Sequence, residues 1–183
     1  RRNNLSAHSG KKVENWPKDC YADGPRAKEY RAWRCENITR LVKAVHDGVQ
    51  KIKPEVKVSA AVFGLYPSCK KSIGQDWVLW AQSGYVDFLC PMNYTDDEKW
   101  FKGIVARQMK QVDGKVPLCP GIGASSAKTP LSAEQVTSQI TITEQLGTGG
   151  FTIFNLSAKE AKRLLPGLKT GQKPSTKKNR FVD

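Results

Sequence analysis

With 183 residues, 39% of them hydrophobic, the chain has the length for one domain with a buried core. No run approaches the roughly eighteen apolar residues of a membrane span, and no apolar segment follows Arg1-Arg2-Asn3-Asn4, so neither a span nor a signal peptide is expected within it. The formal charge of +13 invites a nucleic-acid reading, but the excess falls on the last fifteen residues and on scattered helix faces, without a basic-aromatic ladder. That pattern argues for a solvated surface and against a nucleic-acid partner, a polyanion-binding surface being the alternative.

In chain order, residues 1–28 are polar and read as an irregular or partly helical loop segment anchored by Trp16 and Tyr21. Apolar residues then recur at helical spacing from Tyr30 to Ile52, and Pro54 ends the helix. A β-branched run over 56–63 predicts a strand ending at Gly64, and residues 65–72 read as a loop carrying Tyr66 and Cys69. A short helix over 75–83 carries Trp77 and Trp80 on one face. Tryptophans three apart pack such a helix onto a sheet; a sugar platform is the other reading.

The stretch from Gly84 to Asp97 is the most informative. A short apolar run (Val86, Phe88, Leu89, Cys90) predicts a buried strand over 86–92, and Asn93, Tyr94, Thr95, Asp96 and Asp97 follow it directly. Apolar strand, polar cluster, then helix is how α/β enzymes place chemistry at the carboxyl end of a parallel strand. Capping of the next helix, over 97–112, is the competing role for Asp96 and Asp97. A turn at Asp113-Gly114 leads to a strand over 116–120 and the run Gly121-Ile122-Gly123, whose glycine spacing is wrong for a phosphate loop. Ser132 with Gln135 forms a capping box for a helix reaching Leu146; a strand over 150–155 and a helix over 159–168 complete the pattern. The basic tail 169–183 lacks large apolar residues before Phe181 and is expected to be mobile.

Five cysteines without a C-x-x-C pair exclude a zinc ribbon, and no cofactor or metal motif is present. Cys90 and Cys119 are expected to be buried thiols packed as small apolar groups; among Cys20, Cys35 and Cys69 one disulfide is conceivable. Four strand–helix units with nearly uniform apolar strands predict an α/β fold of parallel βα repeats over 29–168. Four units are half of a (β/α)8 TIM barrel.

Gln75-Asp76-Trp77 with Trp80, and then Gly84-Tyr85-Val86-Asp87 through Pro91 to Tyr94, resemble a Q-D-W…W…G-x-V-D-x-x-x-P-x-x-Y pattern. It belongs to the bacterial glycosyl-hydrolase-like proteins grouped near glycoside hydrolase family ten. Arg34-Cys35-Glu36-Asn37-Ile38-Thr39, Pro120-Gly121-Ile122-Gly123 and Gly150-Phe151-Thr152-Ile153-Phe154-Asn155 extend the resemblance over about Tyr30 to Leu168. It implies barrel units five to eight, the carboxyl-terminal half of the barrel domain, without the family's fourth strand and its catalytic aspartate. It also implies a carbohydrate substrate and an extracellular or periplasmic location. Two carboxyls are ordinarily required for glycoside hydrolysis, and the acids just beyond a predicted strand are Asp96, Asp97 and Glu98. Asp96 is therefore the catalytic candidate, with Tyr66, Asn93, Tyr94, Gly123 and Asn155 as substrate-binding candidates. The alternative is a non-catalytic carbohydrate-binding or structural fragment. A half-barrel would also leave an apolar layer (Phe63, Leu89, Met92, Phe154) unpacked, so self-association or pairing with an amino-terminal half is expected.

Overall fold

The computed structural model describes residues 2–21, 23–125, 130–155 and 157–168. The tail 169–183, expected to be mobile, lies outside the described residues. Four strands, β1 (Ser59–Phe63), β2 (Phe88–Met92), β3 (Gly121–Ile122) and β4 (Thr152–Ile153), form one sheet in chain order. Every pairing is parallel. Helices α1 (Arg2–Ser9), α2 (Ala27–Ile52), α3 (Ser68–Ile73), α4 (Trp77–Gln82), α5 (Glu98–Val112), α6 (Ala133–Gln145) and α7 (Ala158–Leu168) alternate with the strands or precede them. This is the α/β architecture of parallel βα repeats expected from the alternation of apolar runs and amphipathic helices.

The expected strands and helices occur at shifted bounds, and the shifts have local causes. The strand expected over 116–120 begins its regular ladder only at Gly121, because Pro117 and Pro120 have no N–H to donate. The segment still lies against its neighbour: the Leu89 N–H donates to Pro117 O at 3.1 Å and the Cys119 N–H to Leu89 O at 2.8 Å. Residues 65–72, expected as a loop, contain α3, pinned by the buried Cys69 and closed by Gly74 in the left-handed region at φ 81°. The amino-terminal segment is partly helical, and Trp16 packs edge-on against Tyr30 with centroids 5.6 Å apart.

Helices cover one face of the sheet. Val62, Leu89 and Leu118 pack with Trp77, Trp80 and Val112 in one core; Ile122 packs with Phe101, Val105 and Ile140 in a second. Both tryptophans serve packing. Trp77 is fully buried with its indole N–H donating to Phe63 O at 3.1 Å, and Trp80 donates to Thr39 Oγ1 at 2.9 Å. On α2, Ile38 and Val42 join this core, but Leu41, Val45 and Ile52 are exposed. Leu89, expected in the layer on the far side of the sheet, lies among the helices, a one-residue change of facing that reverses every side chain of a strand. Phe63, Met92 and Phe154 do stand on the open face, where Phe63 is 55% and Phe154 46% exposed.

The capping box forms in both directions: the Gln135 N–H donates to Ser132 Oγ and the Ser132 N–H to Gln135 Oε1. It fixes the start of α6. No disulfide joins the five cysteines, which are all free thiols.

Candidate functional site

In a parallel sheet of chain-order strands, the segments leaving each strand emerge at one end. Tyr66 follows β1, Asn93, Tyr94 and Asp96 follow β2, Gly123 follows β3 and Asn155 follows β4. The sequence-predicted residues therefore share one rim, but their side chains are differently placed.

Asn93 is fully buried. Its amide pairs face to face with the equally buried Gln108 of α5, each Nδ2 or Nε2 donating to the other's oxygen at 2.9 Å. Gln108 Nε2 also donates to Gly64 O at 2.9 Å. This three-bond knot ties the ends of β1 and β2 to α5, and glycine at 64 is required by it: a Cβ there would lie 2.1 Å from Asn93 Oδ1. The expectation that Asn93 orients sugar hydroxyls is thus corrected, since its donors and acceptor are inside the protein.

Tyr66 is partly buried, and its hydroxyl donates to Asp76 Oδ1 at 2.9 Å. The second Asp76 oxygen takes Lys70 Nζ at 2.7 Å. Desolvation and then the hydrogen bond to the carboxylate push the Tyr66 phenol up from its ordinary value; the hydrogen bond to Asp76 also pushes Lys70 up. The Tyr66–Asp76–Lys70 relay was missed in the sequence, although Asp76 stands in the Q-D-W run just before α4.

Tyr94 stacks on Phe154 with centroids 5.2 Å apart and planes 24° from parallel. Carried one step past the ladders, the register puts Gly123 between these two residues, where a missing side chain lets the rings meet. Gly121 has the same function one row below: a Cβ there would come within 2.9 Å of Tyr94 Cε1. Next to Phe154, Asn155 is exposed, its Oδ1 accepting from Ser125 Oγ at 2.7 Å and its N–H donating to the same oxygen at 2.9 Å, which fixes the amide plane.

The two adjacent aspartates separate by role. Asp97 caps α5, its Oδ1 accepting from the Trp100 N–H at 2.9 Å. Asp96 is exposed and outside the cap. The ends of β1 and β2 frame a cleft of about 200 Å³ walled by Phe63, Met92, Trp100 and Ile104. Trp100, 41% exposed on the first turn of α5, is a wall residue that sequence reasoning missed; its place three residues after the N-cap Asp97 was the available signal. A wider hollow between α2 and Tyr21 lies away from the strand ends. Among the described residues, no group of three or more His, Cys, Asp or Glu side chains could hold a metal, and no helix is long and apolar enough to cross a membrane.

A family model described as glycosyl hydrolase-like 10 matches residues 7–135. No sequence among the curated proteins matches. Among solved structures, the chain is similar to the glycoside hydrolase domain of PgaB (BpsB) from Bordetella bronchiseptica, with a TM-score of 0.59 at 17% identity. The superposition covers 85% of this chain and 47% of that one, so the chain spans about half the length of its structural relative. At that identity the likeness shows the fold, of TIM-barrel type.

Proposed function

We propose that this chain, which belongs to the glycosyl hydrolase-like 10 family, binds a polysaccharide or glycoconjugate at its strand-end rim and supplies part of a glycoside hydrolase site. The observation that carries the reading is the gathering of exposed aromatic side chains at that rim. Phe63 and Trp100 wall the cleft at the ends of β1 and β2, the Tyr94–Phe154 stack stands past β2 and β4, and Asp96 and the fixed amide of Asn155 leave the same strand ends. Apolar rings with a few placed polar groups are what a sugar needs, because its ring faces are apolar and its edges are hydroxyls. Membership in the family and the likeness to a glycoside hydrolase domain support the same class of ligand.

In this reading Asp96 is the carboxyl nearest the bound sugar, acting as acid, base or nucleophile. Hydrolysis asks for a second carboxyl about 5–10 Å away. Asp97 is committed to its cap and Asp76 to Tyr66 and Lys70, which leaves the exposed Glu98 on the first turn of α5 as the other acid after β2; this reading takes the partner carboxylate from outside the four described strands. The chain then acts with an amino-terminal half-barrel, on a glycan outside the cytoplasmic membrane. The second reading, binding without cleavage, is favoured by that same shortage of free carboxylates at the rim.

The test is binding of soluble oligosaccharides, read by tryptophan fluorescence, beside reducing-end release. Binding that Phe154→Ala abolishes without loss of folding supports the site. Cleavage lost on Asp96→Asn supports the catalytic role; binding with no cleavage by the chain, alone or with an amino-terminal half, supports the second reading. Absence of any binding across neutral, cationic and anionic glycans would overturn both.

A further inference from the structure

On the open face of the sheet, two rows below the Tyr94–Phe154 stack, two thiols stand side by side. The bridge between Leu89 and Leu118 and the pairing of Met92 with Gly121 put Cys90 and Cys119 directly opposite each other on neighbouring strands. Leu89 and Leu118 both face the helices, so by strand alternation both cysteines face the other way, and both are half-buried. This corrects the expectation that they are buried thiols packed as small apolar groups. From β4, Thr152 reaches diagonally over Gly121, its hydroxyl donating to Cys90 Sγ at 3.5 Å. Gly150 leaves room on the far side of Cys119, where a Cβ would lie 3.6 Å from the sulfur.

We propose that Cys90 and Cys119 form a dithiol pair for thiol–disulfide exchange, with Cys90 as the attacking thiolate and Cys119 as the resolving thiol. The Thr152 O–H donates to Cys90 Sγ and the Cys119 thiol stands directly across from it, a setting that stabilises a thiolate at Cys90. The Cys119 hydrogen bond leads in holding Cys90 down to about 6, against the opposing effect of burial; the same bond, followed by desolvation, pushes Cys119 up. Burial is the leading cause that pushes the other three, Cys20, Cys35 and Cys69, up, so the chain contains one favoured nucleophile.

The substrate class is a small disulfide R–S–S–R that reaches the open face while no opposing half-barrel covers it. The Cys90 thiolate attacks one sulfur, forming Cys90–S–S–R and releasing R–S⁻. Cys119 then gives up its proton, attacks Cys90 Sγ and expels the second R–S⁻, leaving a bridge between β2 and β3. Two electrons pass from the dithiol to the external disulfide, and the two thiolates take up protons as R–SH. Neighbouring parallel strands are about 4.8 Å apart, within the Cα separation a disulfide spans. The register therefore meets the backbone-spacing condition for a bridge between β2 and β3.

A lowered pKa raises the thiolate fraction but weakens each thiolate as a nucleophile. At pH 7 the two effects leave Cys90 only about two- to threefold faster than an ordinary thiol; at pH 5.5 the gain is roughly tenfold or more. Labelling of the folded 183-residue chain by iodoacetamide, with peptide mapping, should therefore mark Cys90 first at pH 5.5, with a midpoint near 6. Glutathione disulfide should remove two hydrogens per chain and link Cys90 to Cys119. Cys119→Ala should retain one glutathione on Cys90 and move the labelling midpoint up by a unit or more; if that variant does not fold, the wild-type labelling profile and bridge decide alone. A Cys90 midpoint above 8, a glutathione adduct that persists in the wild type, or a bridge between other cysteines would each overturn the proposal.

Discussion

Replacing Gln108 by methionine removes the side-chain amide at the centre of the Asn93–Gln108–Gly64 knot while keeping length and near-equal volume. Three hydrogen bonds of 2.9 Å disappear, and both polar ends of the Asn93 amide together with Gly64 O are left without those partners inside the protein. A buried polar group deprived of its partner costs about 1–3 kcal/mol, so the substitution should destabilise by about 3–5 kcal/mol after allowance for relaxation. Against a typical total of about 5–15 kcal/mol this is a large fraction. With a urea m-value of about 2 kcal/mol/M, the midpoint should fall by about 1.5–2.5 M at unchanged slope. The double variant Asn93→Leu with Gln108→Met leaves Gly64 O as the one orphan of the knot and should recover at least about 1 kcal/mol of the single variant's loss, a coupling read by a double-mutant cycle. A loss below about 1 kcal/mol for Gln108→Met, or strictly additive effects, would refute the assignment of Asn93 to the interior knot.

Gly64→Ala should unfold the same corner, because its Cβ would meet Asn93 Oδ1 at 2.1 Å and Gln108 Nε2 at 2.8 Å; chemical denaturation should show a loss of at least about 2 kcal/mol. Tyr66 and Lys70 both hold their protons more tightly in the fold, so their contribution is complete below their ordinary values of about 10 and is lost as pH rises beyond them. Thermal melts should therefore fall as pH rises above about 10, less steeply in Asp76→Asn; an identical alkaline profile for the variant would contradict the relay. The open face should drive self-association of the 183-residue chain, strengthened by salt that screens its charge of +13 and weakened by Phe63→Lys. Sedimentation showing a monomer at high concentration and high salt would dismiss that expectation.

The fold was legible because its signals are local. Alternating apolar runs and amphipathic helices, the Ser132–Gln135 box and the glycines that end helices each act within a few residues, and the four parallel strands follow from them. What the sequence concealed depends on which way a side chain faces. Asn93 reads as a rim residue because it follows a strand, yet the fate of its amide is set by Gln108, fifteen residues on, and by an absent side chain at Gly64. Leu89 and Cys90 exchange faces on a one-residue shift, which turned an expected interior leucine into a helix contact and an expected buried thiol into half of an open-face pair. Tyr66, Asp76 and Lys70 come together only through the turn and short helix between β1 and α4, a segment too short for periodicity to declare.

The open face itself has a gradient along the strands that bears on where affinity resides. Its middle row is Ala61, Cys90 and Cys119, all small; the next is Phe63, Met92, Gly121 and Thr152; beyond the ladder come Tyr94 and Phe154 across Gly123. A closed barrel of this type fills its interior with layers of bulky branched side chains. A row of alanine and two cysteines supplies little of that volume, so in the pairing proposed above an opposing half-barrel would bring the large residues for the centre. At the rim the reverse holds: this chain already provides the large rings, and an opposing half needs to add only polar and charged groups around them. Removing a rim ring such as Phe154 therefore deletes contact area that nothing facing it replaces, whereas enlarging Ala61 or Cys119 competes for space with the opposing half. Glycan affinity should follow the first kind of change and half-barrel association the second, which separates binding from assembly on one continuous surface.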